Sequence, residues 1–315
     1  MRIFIELPTW LGDTVMTTPA IEAIARAYPH AKFIFFGSFA SIEALKVHPK
    51  ASQYTVDESK RSFSRFYWLF TYAKSLGHID IAISFRRSLF TKFVLAMIHT
   101  AKRFSYDKHC FQGHQVEKYV SFVTTSLSLH HAIPTGLKLY QHPRKYEKPT
   151  LGINPGATYG SAKRWYPEEF AKVAIHYAKE YDIILFGGSN EVNIALEIEA
   201  HIRAHGIENV INLAGKTSLQ ELIEAIGGLT LFVTNDSGPM HVAAAYQIPT
   251  VALFGPTKEH ETSQWQNPYG YIISHHLACS PCMKRECPLK THACMRDIKA
   301  EEVIAVLEHH RSLGK

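Results

Sequence analysis

Residues 231–257 read LFVTNDSGPMHVAAAYQIPTVALFGPT, and this stretch decides the fold of the chain. The apolar runs at residues 231–233 and 250–254 have the length and composition of buried strands. Between them, the cap and turn residues TNDSGP precede a helix of small residues at 240–246, which Pro249 closes. A strand, a polar turn, a helix and a second strand in this order predict a parallel sheet with helices packed on its faces.

The polar turn before this helix is a candidate binding site for an anion. The first N–H groups of a helix have no partner inside it and lie at the positive end of its dipole. Asp236, Ser237 and Pro239 suit the cap and first-turn positions of the helix. The turn by itself leaves two interpretations open: an ordinary capped helix, or a phosphate site formed by Asp236, Ser237 and Gly238.

The composition is that of a soluble globular protein with one large domain or two. Hydrophobic residues make up 46% and charged residues 20% of the 315 positions, and no apolar run approaches the ~20 residues that span a bilayer. Glu6 interrupts the first apolar run, which argues against a signal peptide and for a cytoplasmic location. The net charge of +6 favours a phosphorylated substrate or an anionic membrane face, and no motif indicates nucleic acid.

Four of the five cysteines, Cys279, Cys282, Cys287 and Cys294, lie close together with His292 among them. Because cytoplasmic thiols stay reduced, a metal site or simple packing is favoured over disulfides. The CxxC spacing suits zinc, but the spacing of the later two cysteines is not a standard second half of a zinc site. The spacing therefore favours an unmetallated structural loop over structural zinc.

The chain repeats one alternation of strands and helices in its two halves. The predicted strands are residues 3–7, 31–36 and 79–84 in the first half and 150–153, 183–186, 210–213, 231–233 and 250–254 in the second. This alternation predicts two α/β domains whose parallel sheets are covered on both faces. We place the domains at residues 1–148 and 149–315 with a polar linker at 141–149, and leave open whether the last helix, residues 300–310, packs back on the first domain.

Three successive strands of the second half end in turns that contain Gly156, Gly187 and Gly215. Ligands of open parallel sheets bind at the carboxyl ends of the strands, so these turns are predicted to line one crevice. None of the turns matches GxGxxG or the P-loop pattern, which argues against a dinucleotide fingerprint and against a P-loop ATPase.

Asp13 comes after the first strand, where a general base would stand at the mouth of a crevice. A helix N-cap is the alternative for Asp13, although the neighbouring Trp10 and Leu11 favour a shaped, partly desolvated pocket. Thr158 and Lys163 follow the strand at 150–153 and can reach a phosphate over the crevice, the alternative being a solvated lysine.

Arg86 and Arg87 follow the strand at 79–84 and are either part of the same cleft or a solvated basic pair. The sequence offers no pair of carboxylates flanked by an apolar strand that would hold a catalytic cation. We therefore predict neither a metal nor a cofactor, with a diphosphate held by backbone amides and Lys163.

Five motifs resemble the bacterial lipopolysaccharide heptosyltransferases in order and spacing over nearly the whole chain. They are PTWLGDTVMTTPAIEAI at 8–24, NPGATYGSAKRWYPEEFAKV at 154–173, LFGGSNE at 185–191, NLAGKTSLQELI at 212–223 and TNDSGPMHVAAA at 234–245. Within this family, the WLGDTVMTTP and NDSGPMH versions and the late cysteine cluster resemble the form that adds the second heptose of the inner core.

The resemblance implies a GT-B fold, in which two Rossmann-like domains with parallel sheets face a central cleft. The donor would be ADP-L-glycero-β-D-manno-heptose, held by the C-terminal domain, and the acceptor a heptosyl-Kdo-lipid A, held by the N-terminal domain. The matching positions are Asp13 for the base; Thr158, Lys163, Asp236, Ser237, Gly238, Gly187 and Gly215 on the donor side; and Arg86 and Arg87 on a basic acceptor face. The resemblance does not fix which residue after Leu219 holds the ribose.

Other functions stay open, namely a nucleotide-sugar epimerase of the same fold, a non-catalytic nucleotide-sugar binding protein, and transfer to another core position. The lipid-linked acceptor also implies peripheral contact with the anionic inner face of the inner membrane. The candidate residues for this contact are Lys60, Arg61, Phe63, Arg65, Phe66, Tyr67, Trp68, Arg86, Arg87, Lys102 and Arg103. The alternative is an ordinary helix that turns its aromatic residues inward and keeps its charges in solvent.

Overall fold

The computed structural model describes residues 1–129 and 133–313. The chain divides into two compact units, Met1–Tyr140 and Gln141–Lys315. The predicted linker at residues 141–149 packs on the second unit, since the Tyr246 hydroxyl donates to the Gln141 carbonyl (2.8 Å) and the Tyr146 hydroxyl to the Ala225 carbonyl (3.1 Å).

The first unit is built on a parallel sheet. Its strands are β1 Arg2–Glu6, β2 Lys32–Gly37, β3 Ala51–Val56, β4 Ile81–Ser84 and β5 Lys102–Ser105, in the spatial order β3-β2-β1-β4-β5. The chain moves outward from β1 to β3 and then returns to the other side of β1 for β4 and β5. The topological switch point therefore lies between β1 and β4, where Glu6 pairs in register with Ser84.

Helices cover both faces of this sheet. They are α1 Leu11–Met16, α2 Thr18–Ala27, α3 Phe39–Leu45, α4 Arg65–Ser75, α5 Leu89–Met97 and α6 Gln115–Leu127, with 3-10 turns at Ser59–Arg61 and Lys108–Cys110. Ile3, Phe4 and Ile5 are fully buried because the central strand is covered on both sides. Phe4 stacks on Phe36 with ring centroids 6.0 Å apart, and this pair belongs to the core beneath α4 and α5.

The second unit also has a parallel sheet. Its strands are β6 Thr150–Asn154, β7 Asp182–Leu185, β8 Val210–Asn212, β9 Leu231–Asn235, β10 Thr250–Leu253 and β11 Gly270–Ile273, in the order β11-β10-β9-β6-β7-β8. Here the chain moves outward from β6 to β8 and returns for β9 to β11. The switch point lies between β6 and β9, whose carboxyl ends are Asn154 and Asn235.

The helices of the second unit surround this sheet. They are α7 Pro167–Tyr177, α8 Val192–Arg203, α9 Leu219–Gly227, α10 Gly238–Ala245, α11 Glu259–Thr262, α12 Ala293–Arg296 and α13 Ala300–Leu313, with 3-10 turns at Ser161–Lys163 and Ser189–Glu191. The strand, turn, helix and strand predicted for residues 231–257 are confirmed as β9, α10 and β10.

The last helix, α13, packs into the core of the second unit. Its Val303 and Leu307 are fully buried together with Phe170 and Tyr177 of α7. Packing of this helix on the first unit stays a prediction. Among the residues that the structure describes, no helix combines the length and the apolar composition needed to cross a bilayer.

Candidate active site

The switch point of the second sheet is held together by two asparagines at the strand ends. Asn154 at the end of β6 donates from its amide to the Ser237 hydroxyl (3.2 Å) and to the Thr234 hydroxyl (3.3 Å). Asn235 at the end of β9 donates to the Pro155 carbonyl at 2.7 Å. These bonds join the loop after β6 to the turn before α10, so both predicted donor segments lie at one place.

Lys163 reaches this place from the loop after β6. Its ammonium group forms an ion pair with Asp236, and the two side chains are only 12% and 5% exposed. Asp236 also accepts a hydrogen bond from the hydroxyl of Thr257, at 2.6 Å. The interpretation of Lys163 as a solvated lysine is therefore wrong. Thr257, which we did not predict, was marked in the sequence only by the Gly-Pro-Thr turn after β10.

The turn TNDSGP caps α10 as expected, with one correction. Ser237 is the N-cap and Pro239 lies in the first turn, whereas Asp236 is bound by Lys163 and takes no part in the cap. The Ser237 side chain makes no capping bond to the helix, because its hydroxyl is engaged with Asn154 and Thr234. A lysine beside the positive end of a helix is an arrangement that can hold a diphosphate.

The glycine turns after β6, β7 and β8 meet at the same edge. The amide of Gly215 donates to the Gly187 carbonyl (2.9 Å), and Gly215 has a left-handed φ of +71° that suits glycine. Glu191, which we did not predict, accepts from the Gly188 amide at 2.8 Å. A Cβ atom at Gly156 would stand 2.1 Å from the Glu191 carboxyl carbon, so Gly156 permits this close approach.

Two other donor-side positions are less enclosed. Thr158 is exposed in the turn before Tyr159, and the Tyr159 ring lies 4.8 Å from the Lys163 ammonium. Glu221, which follows Leu219 in the segment for which no ribose ligand was predicted, forms a capping box with Ser218 and accepts a hydrogen bond from the Ser218 amide at 2.7 Å. This hydrogen bond lowers the pKa of the Glu221 carboxyl and gives it a structural role at the start of α9.

In the first unit, Asp13 lies in the first turn of α1 and not in a turn before a helix. The N-cap of α1 is Trp10, so the N-cap interpretation of Asp13 is wrong. Asp13 is partly exposed, and α1 is in contact with α6. Burial and then the negative charge of Asp13 raise the pKa of Tyr119 in α6, which places the Asp13 carboxylate within electrostatic reach of that helix.

A buried charge network occupies the switch point of the first sheet. Glu6 at the end of β1 accepts from Ser84 (2.6 Å) and lies 3.4 Å from Arg86, which is also 3.9 Å from Asp57. Burial raises the pKa of Glu6 more than the nearby Arg86 lowers it. We did not predict Glu6 and Asp57, although an acidic residue that ends a buried strand was a signal for the first.

The two predicted acceptor residues differ in their surroundings. The Arg86 side chain is 17% exposed and tied to the network, so the interpretation of a solvated pair is wrong for Arg86. Arg87 is 51% exposed and pairs with Asp107 after β5, at 2.5 Å. This pairing draws Arg87 to the β5 side of the sheet.

Both units thus place charged groups at the switch points of doubly wound sheets. The second unit has a lysine beside a helix N-terminus, and the first has carboxylates near the end of β1. Two doubly wound units with charged groups at the carboxyl ends of their strands define the class of α/β proteins that bind ligands at this edge of the sheet.

Comparison with known proteins gives the family. The model of glycosyltransferase family 9 (heptosyltransferase) matches residues 78–293. The chain is 43% identical over 313 residues to the lipooligosaccharide heptosyltransferase 2 of Campylobacter jejuni subsp. jejuni, a match that covers 96% of each protein. The chain belongs to glycosyltransferase family 9, the heptosyltransferases, and the resemblance predicted from its motifs is confirmed.

Solved structures agree on the fold. A family 9 glycosyl transferase from Veillonella parvula superposes with a TM-score of 0.82 at 22% identity, covering 98% of this chain and 96% of that one. The ADP-heptose lps heptosyltransferase II of E. coli superposes with a TM-score of 0.80 at 23% identity, covering 98% of both. With the two parallel sheets, these matches confirm the predicted GT-B fold class.

Proposed function

We propose that this enzyme is an inverting transferase that moves L-glycero-D-manno-heptose from ADP-heptose to the first heptose of the lipopolysaccharide inner core. The identity to a lipooligosaccharide heptosyltransferase 2 over nearly the whole chain supports this acceptor. The observation that carries the proposal is the buried Lys163–Asp236 pair beside the N-terminus of α10, because it offers a positive group to a departing diphosphate.

The second unit has the donor role in this proposal. The diphosphate of ADP-heptose binds at the amides around Ser237 and Gly238 and at the Lys163 ammonium, with Thr158 as a further hydroxyl donor. Asp236 holds Lys163 in place and lies beside the transferred sugar, while the turns with Gly187 and Gly215 form the wall of the crevice. As the bond between the anomeric carbon and the phosphate breaks, Lys163 and the helix dipole stabilise the charge that develops on ADP.

The first unit has the acceptor role. Asp13 takes the proton of one acceptor hydroxyl as its oxygen attacks the anomeric carbon from the side opposite ADP, which inverts the configuration there. Arg86 and Arg87 present positive charge to the acidic sugars of the acceptor. Arg86 is the better fixed of the two, because Glu6 and Asp57 hold its guanidinium group.

The family match favours this transferase over a nucleotide-sugar epimerase of the same fold. The two activities differ in one simple respect, the need for an acceptor. Release of ADP that requires both ADP-heptose and a heptosylated acceptor supports transfer. Conversion of ADP-heptose to an epimeric sugar nucleotide without an acceptor would establish an epimerase.

Transfer is expected to proceed without added divalent cations. The rate of heptose transfer measured shortly after EDTA is added should match the rate measured in MgCl₂. Lys163 and backbone amides supply the positive charge that a metal would otherwise supply. Initial rates of ADP release in the two buffers measure this. A rate that collapses in EDTA and returns with Mg²⁺ or Mn²⁺ would refute the metal-free mechanism.

We further propose that the enzyme works in the cytoplasm and touches the anionic inner face of the inner membrane through the first unit. The aromatic face consists of the outward side chains of α4 and the preceding loop: Phe63, Phe66, Tyr67 and Phe70. Phe63 is fully exposed, and exposed aromatic groups in one patch are typical of a contact surface. The exposed basic residues Lys60, Arg61 and Lys74 lie in the same segment.

Arg65, which the sequence placed in this charged surface, has a structural role instead. Its guanidinium group lies 3.5 Å from the centroid of the Phe90 ring and 3.5 Å from the Asp57 carboxylate, and it donates to the Ser59 hydroxyl at 3.0 Å. Trp68 turns toward the core. A test of membrane contact should therefore leave Arg65 unchanged.

Reversing the charge of Lys60, Arg61 and Lys74 to glutamate should weaken binding to anionic liposomes by about 100-fold, since each basic residue near such a surface contributes about 1 kcal/mol. Co-sedimentation with phosphatidylglycerol vesicles at low and high salt measures the affinity of each protein for the anionic surface. High salt should weaken the binding of the unaltered protein.

The matched control reverses three exposed lysines of the second unit, Lys145, Lys148 and Lys179, which changes the net charge equally. This control should keep its liposome binding, and both variants should keep ADP affinity. Equal losses in the two triple variants would show that net charge, and not the position of the basic residues beside the aromatic face, governs the binding.

A further inference from the structure

The segment that follows the last strand of the second unit packs against the loops of the proposed donor site. Residues 274–292, between β11 and α12, contain no helix or strand, and their cysteines are free thiols. The Met283 amide donates to the Pro256 carbonyl at 2.8 Å, and the Ala162 amide donates to the Arg285 carbonyl at 3.0 Å. These two bonds attach the segment to the turn after β10 and to the loop after β6.

Both attachment points adjoin the groups that hold Asp236. The turn after β10 carries Thr257, which donates to Asp236 at 2.6 Å, and the loop after β6 carries Lys163, which forms the ion pair. Gly160 of the same loop approaches the segment so closely that a Cβ atom there would stand 2.2 Å from the Arg285 carbonyl oxygen. The backbone of Arg285 is therefore fixed against the loop that carries Lys163.

Tyr159 brings the side chains of Lys163 and Arg285 to one place. Its hydroxyl donates to the Met283 carbonyl at 2.8 Å, which fixes the ring between the loop and the segment. The Lys163 ammonium lies 4.8 Å from the centroid of this ring, and the central carbon of the Arg285 guanidinium group lies 5.6 Å from the same centroid. Two cations that contact one aromatic ring lie close to each other.

The two cations differ in how their charge is compensated. Lys163 is paired with Asp236, so this pair has no net charge. Arg285 is exposed, and in the described ranges, residues 1–129 and 133–313, it forms no ion pair. Arg285 therefore has a positive charge that is available to an anionic ligand.

A diphosphate bound without a metal gains affinity from each positive group within reach. The diphosphate of a sugar nucleotide is an anion, and its negative charge increases as the bond to the sugar breaks. The N-terminus of α10 contributes about half a positive charge. Arg285 contributes a whole one, in the planar form that binds two phosphate oxygens at once.

We propose that Arg285 is a second cationic group of the donor site and binds the diphosphate of ADP-heptose together with Lys163. This inference rests on the proposed transferase function, and it gives the 274–292 segment a part in donor recognition. Arg285 increases the affinity for the charged diphosphate and stabilises ADP as it leaves. The shared contact with Tyr159 keeps both cations on the same side of the crevice.

Arg285→Ala tests the proposal through two ligands, ADP and adenosine, of which only ADP carries phosphate. ADP affinity should fall about 10-fold or more, the usual scale for loss of a hydrogen bond between charged groups. Adenosine affinity should stay unchanged, because adenosine gives Arg285 nothing to bind. Calorimetric titration measures the first affinity, and competition against ADP measures the second.

Lys284→Ala is the matched control, because it removes the neighbouring exposed positive charge from the same segment. It should keep the normal ADP affinity. Arg285→Lys should retain part of that affinity, since it keeps the charge but not the planar group. In the transfer assay, Arg285→Ala should raise the KM for ADP-heptose and lower kcat, while the KM for the acceptor stays the same.

Melting temperatures show whether each variant is folded, and Arg285→Gln, which keeps most of the side-chain length, replaces the alanine variant if that one is not. A folded variant with unaltered ADP affinity would overturn the inference and leave the transferase function standing. Equal losses for ADP and adenosine would also overturn it, because they would show that Arg285 only supports the loop through Tyr159. Absence of ADP binding by the unaltered protein would refute the proposed function together with this inference.

Discussion

Replacing Asp13 by asparagine is expected to lower the rate of heptose transfer by about 100-fold or more, the usual scale for loss of a general base. Asparagine cannot accept the proton of the acceptor hydroxyl, yet it is close to aspartate in size and suits the first turn of α1. ADP binding should change little, because the proposed donor groups belong to the second unit. Single-turnover rates and ADP titrations measure the two effects separately.

The control for Asp13 is Glu43→Gln, a second change from carboxylate to amide in the first unit. Glu43 pairs with Lys46 at the end of α3, and their side chains are only 16% and 24% exposed, so melting temperature must be measured beside the rate. Glu43→Gln should keep the normal rate. A rate for Asp13→Asn within a few-fold of the unaltered enzyme would show that another group accepts the proton.

Replacing Lys163 by alanine should lower turnover by roughly 100-fold or more, because it removes a preorganised positive group from the departing diphosphate. Affinity for ADP-heptose should fall as well. Asp236 would keep its hydrogen bond from Thr257 but lose its cationic partner, so melting temperature must be measured alongside the rates. Lys163→Arg, which retains the charge, should recover part of the activity.

Lys258→Ala is the matched control, because Lys258 forms a partly exposed pair with Glu261 in the same unit, away from the Lys163–Asp236 pair. It should leave donor affinity and turnover unchanged. If Lys163→Ala behaves like this control while remaining folded, Lys163 has no role at the diphosphate.

The central strands could be predicted from sequence because burial on both faces makes them continuous apolar runs, as in β1 and β9. The two edge strands of the first sheet, β3 and β5, could not be predicted in this way, whereas the edge strand β8 of the second sheet was predicted at residues 210–213. β3 reads ASQYTV and β5 reads KRFS, and none of their residues is buried. Neither strand has an apolar pattern, so only pairing with its neighbour reveals it.

Part of the candidate site was predictable from sequence, but Thr257, Glu191, Glu6 and Asp57 were not predicted, and neither were the pairings between distant residues. Three residues, Asp13, Lys163 and Asp236, each come after a buried strand. Sequence alone therefore predicted that they lie at the carboxyl ends of the strands, where ligands bind. Lys163 and Asp236 are separated by 73 positions, however, and no local pattern indicates that they form an ion pair. The same limit applies to Glu6 and Arg86, and to the four cysteines Cys279, Cys282, Cys287 and Cys294, which the fold places around one pocket of the second unit.

The most direct test of the proposed function is a transfer assay with ADP-heptose and two defined acceptors, Kdo-lipid A with and without its first heptose. We predict that only the heptosylated acceptor gives a product that is one heptose heavier. The configuration at the anomeric carbon of the transferred heptose should be inverted relative to the donor. Equal or better transfer to the acceptor that lacks heptose, or conversion of ADP-heptose with no acceptor present, would contradict the proposal.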